Sequence, residues 1–194
     1  MPASPLPVHE LGVIHGRFQV LHNDHLKYLL AGKGRCRRLV VGLTNPDPVL
    51  TRDDPADPIR SLPESNPLTY YERLCLVRAA LTRAGVEESG FSIVPFPISL
   101  PELWRYYLPL DAVFFLTIYD DWGRAKLARF KQMGLKTEVL WEKSPAEKGV
   151  SAAQVRRLMA EGGEWRKLTP PAAAELLERW KIPERLARGA RHAS

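Results

Sequence analysis

Apolar and polar positions along the chain repeat with two periods. Leu11 to Phe18 and Arg38 to Leu43 are short, β-branched and apolar, while His25-Leu26-Lys27-Tyr28-Leu29-Leu30 between them has helical spacing, which predicts a βαβ unit. Thr69-Tyr70-Tyr71-Glu72 carries a hydroxyl and a carboxylate three residues apart, the capping-box pattern. It predicts a helix to about Ala84 with Leu74, Val77 and Leu81 as its buried stripe. Phe91 to Ile98 reads as a strand and Glu102 to Leu108 as a short helical turn. Ala112 to Ile118, almost without polar interruption, reads as a strand buried on both faces. Asp120 and Asp121 favour a helix start, because carboxylates suit the positive end of the helix dipole. Leu127 and Phe130 face inward on that helix, Gly134 stops it, and Thr137 to Trp141 makes a last strand.

Strands alternating with helices at this rhythm predict an α/β fold with a doubly wound parallel sheet, whose ligand crevice lies at the carboxyl ends of the strands. From Ser151 onward the pattern is purely helical, with Pro170-Pro171 and Pro183 marking helix starts. A core over residues 1–150 and a C-terminal helical subdomain over residues 151–194, packed on the sheet edge, are therefore expected. The proline-rich, polar stretch from Thr44 to Leu68 cannot pack a core and is predicted to be a long surface loop.

With 194 residues, 45% hydrophobic and 26% charged, the chain suits one ordinary domain or one domain with a small appendage, and wholesale disorder is excluded. No apolar run approaches the roughly 20 residues that cross a bilayer. The start MPASPLPVHE lacks the cationic and apolar parts of a signal peptide, so a cytoplasmic protein without a membrane partner is expected. Cys36 and Cys75 lie far apart without metal-ligand spacing and are expected to be buried small hydrophobes. A net charge of +6 points to anionic partners. The basic residues at Lys33, Arg35, Arg37 and Arg38, and from Arg156 to Arg191, lack the Gly or aromatic interleaving of a single-strand binding surface, so nucleic acid is not the expected partner. A homo-oligomer is left open.

Chemistry concentrates where the first strand ends. Gly16-Arg17-Phe18-Gln19-Val20-Leu21-His22-Asn23-Asp24-His25 places two histidines on one side of a helix start. Free backbone amides, a positive dipole end and two imidazoles there make a site for phosphate oxygens, unless the histidines merely cap the helix. In Val150-Ser151-Ala152-Ala153-Gln154-Val155-Arg156-Arg157, Ser151 and Gln154 form a second capping-box pattern with Arg156 one turn inside, which is either a second anion site with a forked donor or an ordinary capped helix.

These segments, with Asn66-Pro67-Leu68-Thr69 followed by Glu72-Arg73, and Pro97-Ile98 followed by Trp104, together resemble the HxGH nucleotidylyltransferase superfamily. Within it they are most similar in pattern to the archaeal-type nicotinamide-nucleotide adenylyltransferases, over about residues 11 to 160. The resemblance implies a Rossmann-like core that binds ATP and a small phosphorylated acceptor along the sheet's carboxyl edge. The acceptor phosphate attacks the α-phosphorus and pyrophosphate leaves. It implies that His22 and His25 hold the ATP phosphates, that Arg156 grips the leaving phosphates beside Ser151, and that Gly16, Arg17 and Phe18 approach the nucleotide. Trp104 would stack on nicotinamide mononucleotide, giving a role in NAD biosynthesis, or else pack in the core. Such a transfer needs aligned anions and neutralised charge rather than a protein nucleophile. Mg²⁺ would be held mainly by the ATP phosphates.

Asp24 stands where the HxGH pattern has glycine, and is expected either to cap the helix or to repel bound triphosphate by about 1 kcal/mol. Val20-Leu21 replaces the usual Pro-Phe, Val150 the usual Ile, and Ala153 a frequent Thr. The alternatives are cytidylyl or adenylyl transfer to another phosphorylated acceptor, a nucleotide-binding protein with impaired turnover, and, third, a basic nucleic-acid-binding module.

Overall fold

A computed structural model describes residues 8–51, 61–147 and 149–192. The proline-rich start at 1–7 and the middle of the expected loop at 52–60 lie outside the described residues.

Five strands, β1 (His9–Gly16), β2 (Cys36–Thr44), β3 (Phe91–Phe96), β4 (Val113–Ile118) and β5 (Lys136–Glu142), form one parallel sheet in the order β3-β2-β1-β4-β5. The helices are α1 (Asn23–Lys33), α2 (Tyr70–Arg83), α3 (Asp121–Gln132), α4 (Ala152–Glu161), α5 (Pro171–Arg179) and α6 (Ile182–His192). The order reverses direction between β1 and β4, so the α/β doubly wound architecture read from the alternation is the one observed. The expected helical turn is a 3-10 turn at Pro101–Tyr106. Among the described residues no helix is long and apolar enough to cross a membrane.

The pleat divides the core into two layers. Val13, Val40, Phe114 and Leu116 point to one face, where Phe130 of α3 and the 3-10 turn cover them. Ile14, Val41, Leu43 and Phe115 point to the other, beneath α1 and α2. Val155, Met159, Ala173, Leu177 and Ile182 join the apolar cluster of that second layer, with α5 packed on α2 and α4 and α6 packed on each other. The marked apolar stripe of α4, Val155 and Met159 at i and i+4, explains why it finds the core instead of a separate partner. Cys36 is buried, its thiol 3.3 Å from the Gly32 carbonyl, whereas Cys75 is only half-buried.

Local chemistry sets the helix boundaries. The capping box at Thr69 is complete: Thr69 Oγ1 accepts the Glu72 amide at 3.2 Å, and the Glu72 carboxylate accepts the Thr69 amide at 2.8 Å. Asp120 caps α3 by accepting the Gly123 amide at 2.9 Å. Gly134, at φ 74°, turns the chain out of α3.

One buried cation fastens the loops at the carboxyl end of the sheet. Arg73, 1% exposed on the first turn of α2, donates to the carbonyls of Thr44 (2.7 Å), Asn45 (2.7 Å), Arg17 (2.9 Å) and Thr69 (3.3 Å). Burial pulls its pKa down to about 10, which leaves it charged at neutral pH. Substituting Arg73→Met would orphan several buried carbonyls at about 1 kcal/mol or more each. We expect a loss of about 3 kcal/mol or more of unfolding free energy, read by urea denaturation.

Candidate active site

The strand ends at the switch between β1 and β4 open into a cavity of about 560 Å³. After β1 the chain turns sharply at Gly16-Arg17-Phe18. Phe18 sits at φ 51°, a left-handed conformation that a bulky residue holds only when its surroundings enforce it. Its ring folds back over Gly16, where an added Cβ would lie 2.9 Å from the ring, so no side chain fits at that position. Gln19, fully buried, grips the backbone of Leu68 in both directions, donating to its carbonyl at 2.9 Å and accepting its amide at 2.8 Å.

α1 then begins with His22 as its N-cap residue, and the imidazoles of His22 and His25 stack with centroids 3.7 Å apart. The Phe18 ring meets His25 edge-on at 5.0 Å. Burial, opposed in part by Asp24, lowers the pKa of His22 to about 4. Burial, then the proximity of His22, holds His25 well below the ordinary histidine value. Both rings are therefore neutral near pH 7, and their buried Nδ1 atoms have no hydrogen-bond partner among the described residues.

Opposite them, Ser151 caps α4 by accepting the Gln154 amide at 3.2 Å; the reciprocal half of the expected box is not formed. Arg156, one turn inside, donates to the Gln19 carbonyl, and burial lowers its pKa. Asp24 accepts the Val150 amide at 2.7 Å, so its carboxylate spans to the approach of α4 rather than capping α1. The structure thus brings Gly16, Arg17, Phe18, His22, His25, Ser151 and Arg156 around one cavity.

Trp104 is not among the cavity residues, which corrects the expectation that it receives an acceptor ring. It is fully buried in the layer under α3, flanked edge-on by Phe96 at 5.0 Å and Phe130 at 5.4 Å, and its indole N–H donates to the Pro97 carbonyl at 3.0 Å. An indole packed on its faces and with its N–H engaged has no surface left for a ligand.

Trp122 and Trp141 also line the cavity. Trp141 Nε1 donates to the Tyr119 hydroxyl at 2.7 Å. Trp122, Lys126 and Arg129 are cavity residues at i, i+4 and i+7 of α3, with the Lys126 ammonium 4.5 Å over the Trp122 ring. That helical spacing, following directly on a strand's carboxyl end, was the signal available for them. The cavity wall therefore carries Arg17, Lys126, Arg129 and Arg156 against the carboxylates of Asp24 and Asp120. Cationic side chains gathered around one cavity favour anionic ligands.

No protein-family model matches the chain. It is 56% identical over 175 residues to the phosphonoformate cytidylyltransferase of Streptomyces viridochromogenes, covering 90% of this chain and 94% of that protein. It is 28% identical over 177 residues to the nicotinamide-nucleotide adenylyltransferase of Thermococcus kodakarensis, covering 90% of this chain and 86% of that one. Among solved structures, a bifunctional NMN adenylyltransferase/ADP ribose pyrophosphatase from Francisella tularensis superposes with a TM-score of 0.67 at 12% identity over 94% of this chain. The present chain spans 54% of that larger protein, and the likeness is one of fold.

Two outcomes are expected. Trp104→Ala should cost about 3–5 kcal/mol of unfolding free energy, as loss of a core indole does. For His22, the folded pKa lies below the unfolded one, so the unfolded chain binds the extra proton and stability falls as pH drops from 6.5 toward 4. Urea titrations should show this group alone removing about 2 kcal/mol between pH 7 and pH 5, and His22→Gln should flatten that slope.

Proposed function

Because the chain belongs to the nucleotidyltransferases of the cytidylyltransferase and nicotinamide-nucleotide adenylyltransferase type, we propose that it transfers the cytidylyl group of CTP to a small phosphonate acceptor, with phosphonoformate as the leading candidate. In this reaction an acceptor phosphonate oxygen forms a bond to the α-phosphorus while the bond to the β-phosphate bridge breaks, and that electron pair leaves with pyrophosphate. What supports the cytidylyl reading most is the 56% identity along nearly the whole length of a phosphonoformate cytidylyltransferase, twice the identity to the adenylyltransferase. The burial of Trp104 points the same way, since it removes the indole that an aromatic nicotinamide acceptor would have used.

Phosphonoformate has no ring; it is a phosphonate joined directly to a carboxylate. Such an acceptor asks for cations, and Arg17, Lys126 and Arg129 of the cavity lining supply them. The stacked histidines and Arg156 take the triphosphate side. There the imidazole N–H groups and the guanidinium donate to oxygens whose charge grows as pyrophosphate departs. The donors are held in place by burial and by the Gln19 carbonyl, so little reorganisation accompanies the reaction. Mg²⁺ fits as a companion of the nucleotide, because phosphates and water fill most of its octahedron. Asp24 and Asp120, the carboxylates on the cavity wall, already accept the backbone amides of Val150 and Gly123. When bound, the ion would neutralise phosphate charge.

The test is incubation of the purified chain with Mg²⁺ and either CTP or ATP, offered phosphonoformate or nicotinamide mononucleotide, with pyrophosphate release and phosphorus NMR of the product as readouts. A CMP–phosphonoformate product from CTP is expected. Turnover with ATP and nicotinamide mononucleotide alone would instead make the chain an adenylyltransferase, and no turnover with any pair would leave a binding protein. In the productive pair, His22→Ala, His25→Ala and Arg156→Ala should each lower kcat by about 100-fold, because each removes a donor to the moving charge.

A further inference from the structure

The residue that breaks the HxGH pattern has a use that its position in sequence does not disclose. Asp24 lies between the two histidines, in the first turn of α1. Its Oδ2 accepts the amide of Val150, 126 residues further on, at 2.7 Å. Val150 immediately precedes Ser151, the cap of α4. Gly149 completes the fit: a Cβ built there would lie 2.3 Å from the same Asp24 oxygen, so the carboxylate fills the space that a side chain at 149 would need. Residues 143–147, which lead toward this segment, are exposed.

We infer that Asp24 is a positioning residue, a latch that fixes the start of α4 against the start of α1 and thereby sets the gap between the histidine pair and Arg156. The inference rests on the reading of this cavity as a nucleoside triphosphate site. A carboxylate bound to an amide makes a charge-assisted hydrogen bond, stronger than a neutral one and directional. Spending the carboxylate on Val150 turns a negative charge that would oppose phosphate into a strut that holds two phosphate-facing helix starts at one spacing. Preorganisation of this kind reaches the ligand as affinity, because less loop ordering remains to be done on binding. With a strut at that position the motif glycine is dispensable, whereas Gly149 is not.

Three variants separate the latch from simple repulsion: Asp24→Gly removes both bond and charge, Asp24→Asn keeps an acceptor oxygen but no charge, and Gly149→Ala pushes the carboxylate away. Binding of Mg·CTP and Mg·ATP is titrated without acceptor, and KM for the nucleotide and for phosphonoformate is measured separately, with circular dichroism as the check on folding. Asp24→Gly should weaken nucleotide binding by about 10-fold or more, as loss of a charge-assisted bond does. Gly149→Ala should follow it, Asp24→Asn should recover most of the affinity, and the acceptor KM should move least. Tighter nucleotide binding in Asp24→Gly, or an Asp24→Asn variant as impaired as Asp24→Gly, would overturn the latch. A wild-type chain that binds nucleotide but turns over no acceptor refutes the transfer reading while the binding titration still decides the latch. A wild-type chain that binds neither nucleotide overturns both.

Discussion

The carboxyl end of the sheet depends on a cation that, among the described residues, is held by backbone carbonyls rather than a carboxylate. Arg73 spreads its guanidinium over carbonyls from three separate segments: the turn after β1, the end of β2 and the start of α2. A planar, five-donor group is the only side chain that can satisfy so many acceptors from one point. Those carbonyls belong to loops, where neither helix nor sheet would pair them, and burying them unpaired would be costly. Arg17, Thr44 and Asn45 all line the cavity, so the same bonds that make the loops buriable also shape the wall of the site. Gln19 extends the arrangement by clamping Leu68 and offering its own carbonyl to Arg156.

On the proposed reading, the charge of the cavity and that of its ligand are opposite. Four cationic side chains line one cavity while both histidines are kept neutral by burial. Bringing a triphosphate between them supplies the negative charge that would favour protonated imidazoles, reversing the direction in which burial acts. On the proposed reading the donors stand where charge would appear, at some expense to the protein's stability in mild acid.

What was legible in the sequence follows the range of the interactions. The capping box at Thr69 and Glu72, the strand runs and the stop at Gly134 are local, and their partners lie within a turn. The layer to which a side chain goes is not local. Trp104 follows a strand just as a ring-stacking residue would, yet the crossover to β4 carries it under α3 and into Phe96 and Phe130. The spacing of Trp122, Lys126 and Arg129 puts them on one side of α3, but only the neighbouring strand ends decide that this side faces an opening. Asp24 is the sharpest case: as a helix-start carboxylate it reads as a cap or a source of repulsion, and its partner is an amide across the cavity. The amphipathic stripes of α4 and α5 announced burial without naming α6 and α2 as the helices that would receive them.

That α4 shares its core with β1, β2, α1 and α2 has a consequence for cooperativity. Local opening is cheap where few apolar contacts are lost, and α4 is not such a place, since Val155 and Met159 are buried among side chains from across the fold. Arg156 rides on the same helix. Opening this helix would expose that buried apolar surface, so the guanidinium is carried on an element tied to the core. Because Ser151 and Arg156 line the cavity with His22 and His25, a chain still emerging in synthesis presents no complete cavity until residues beyond 150 are in place.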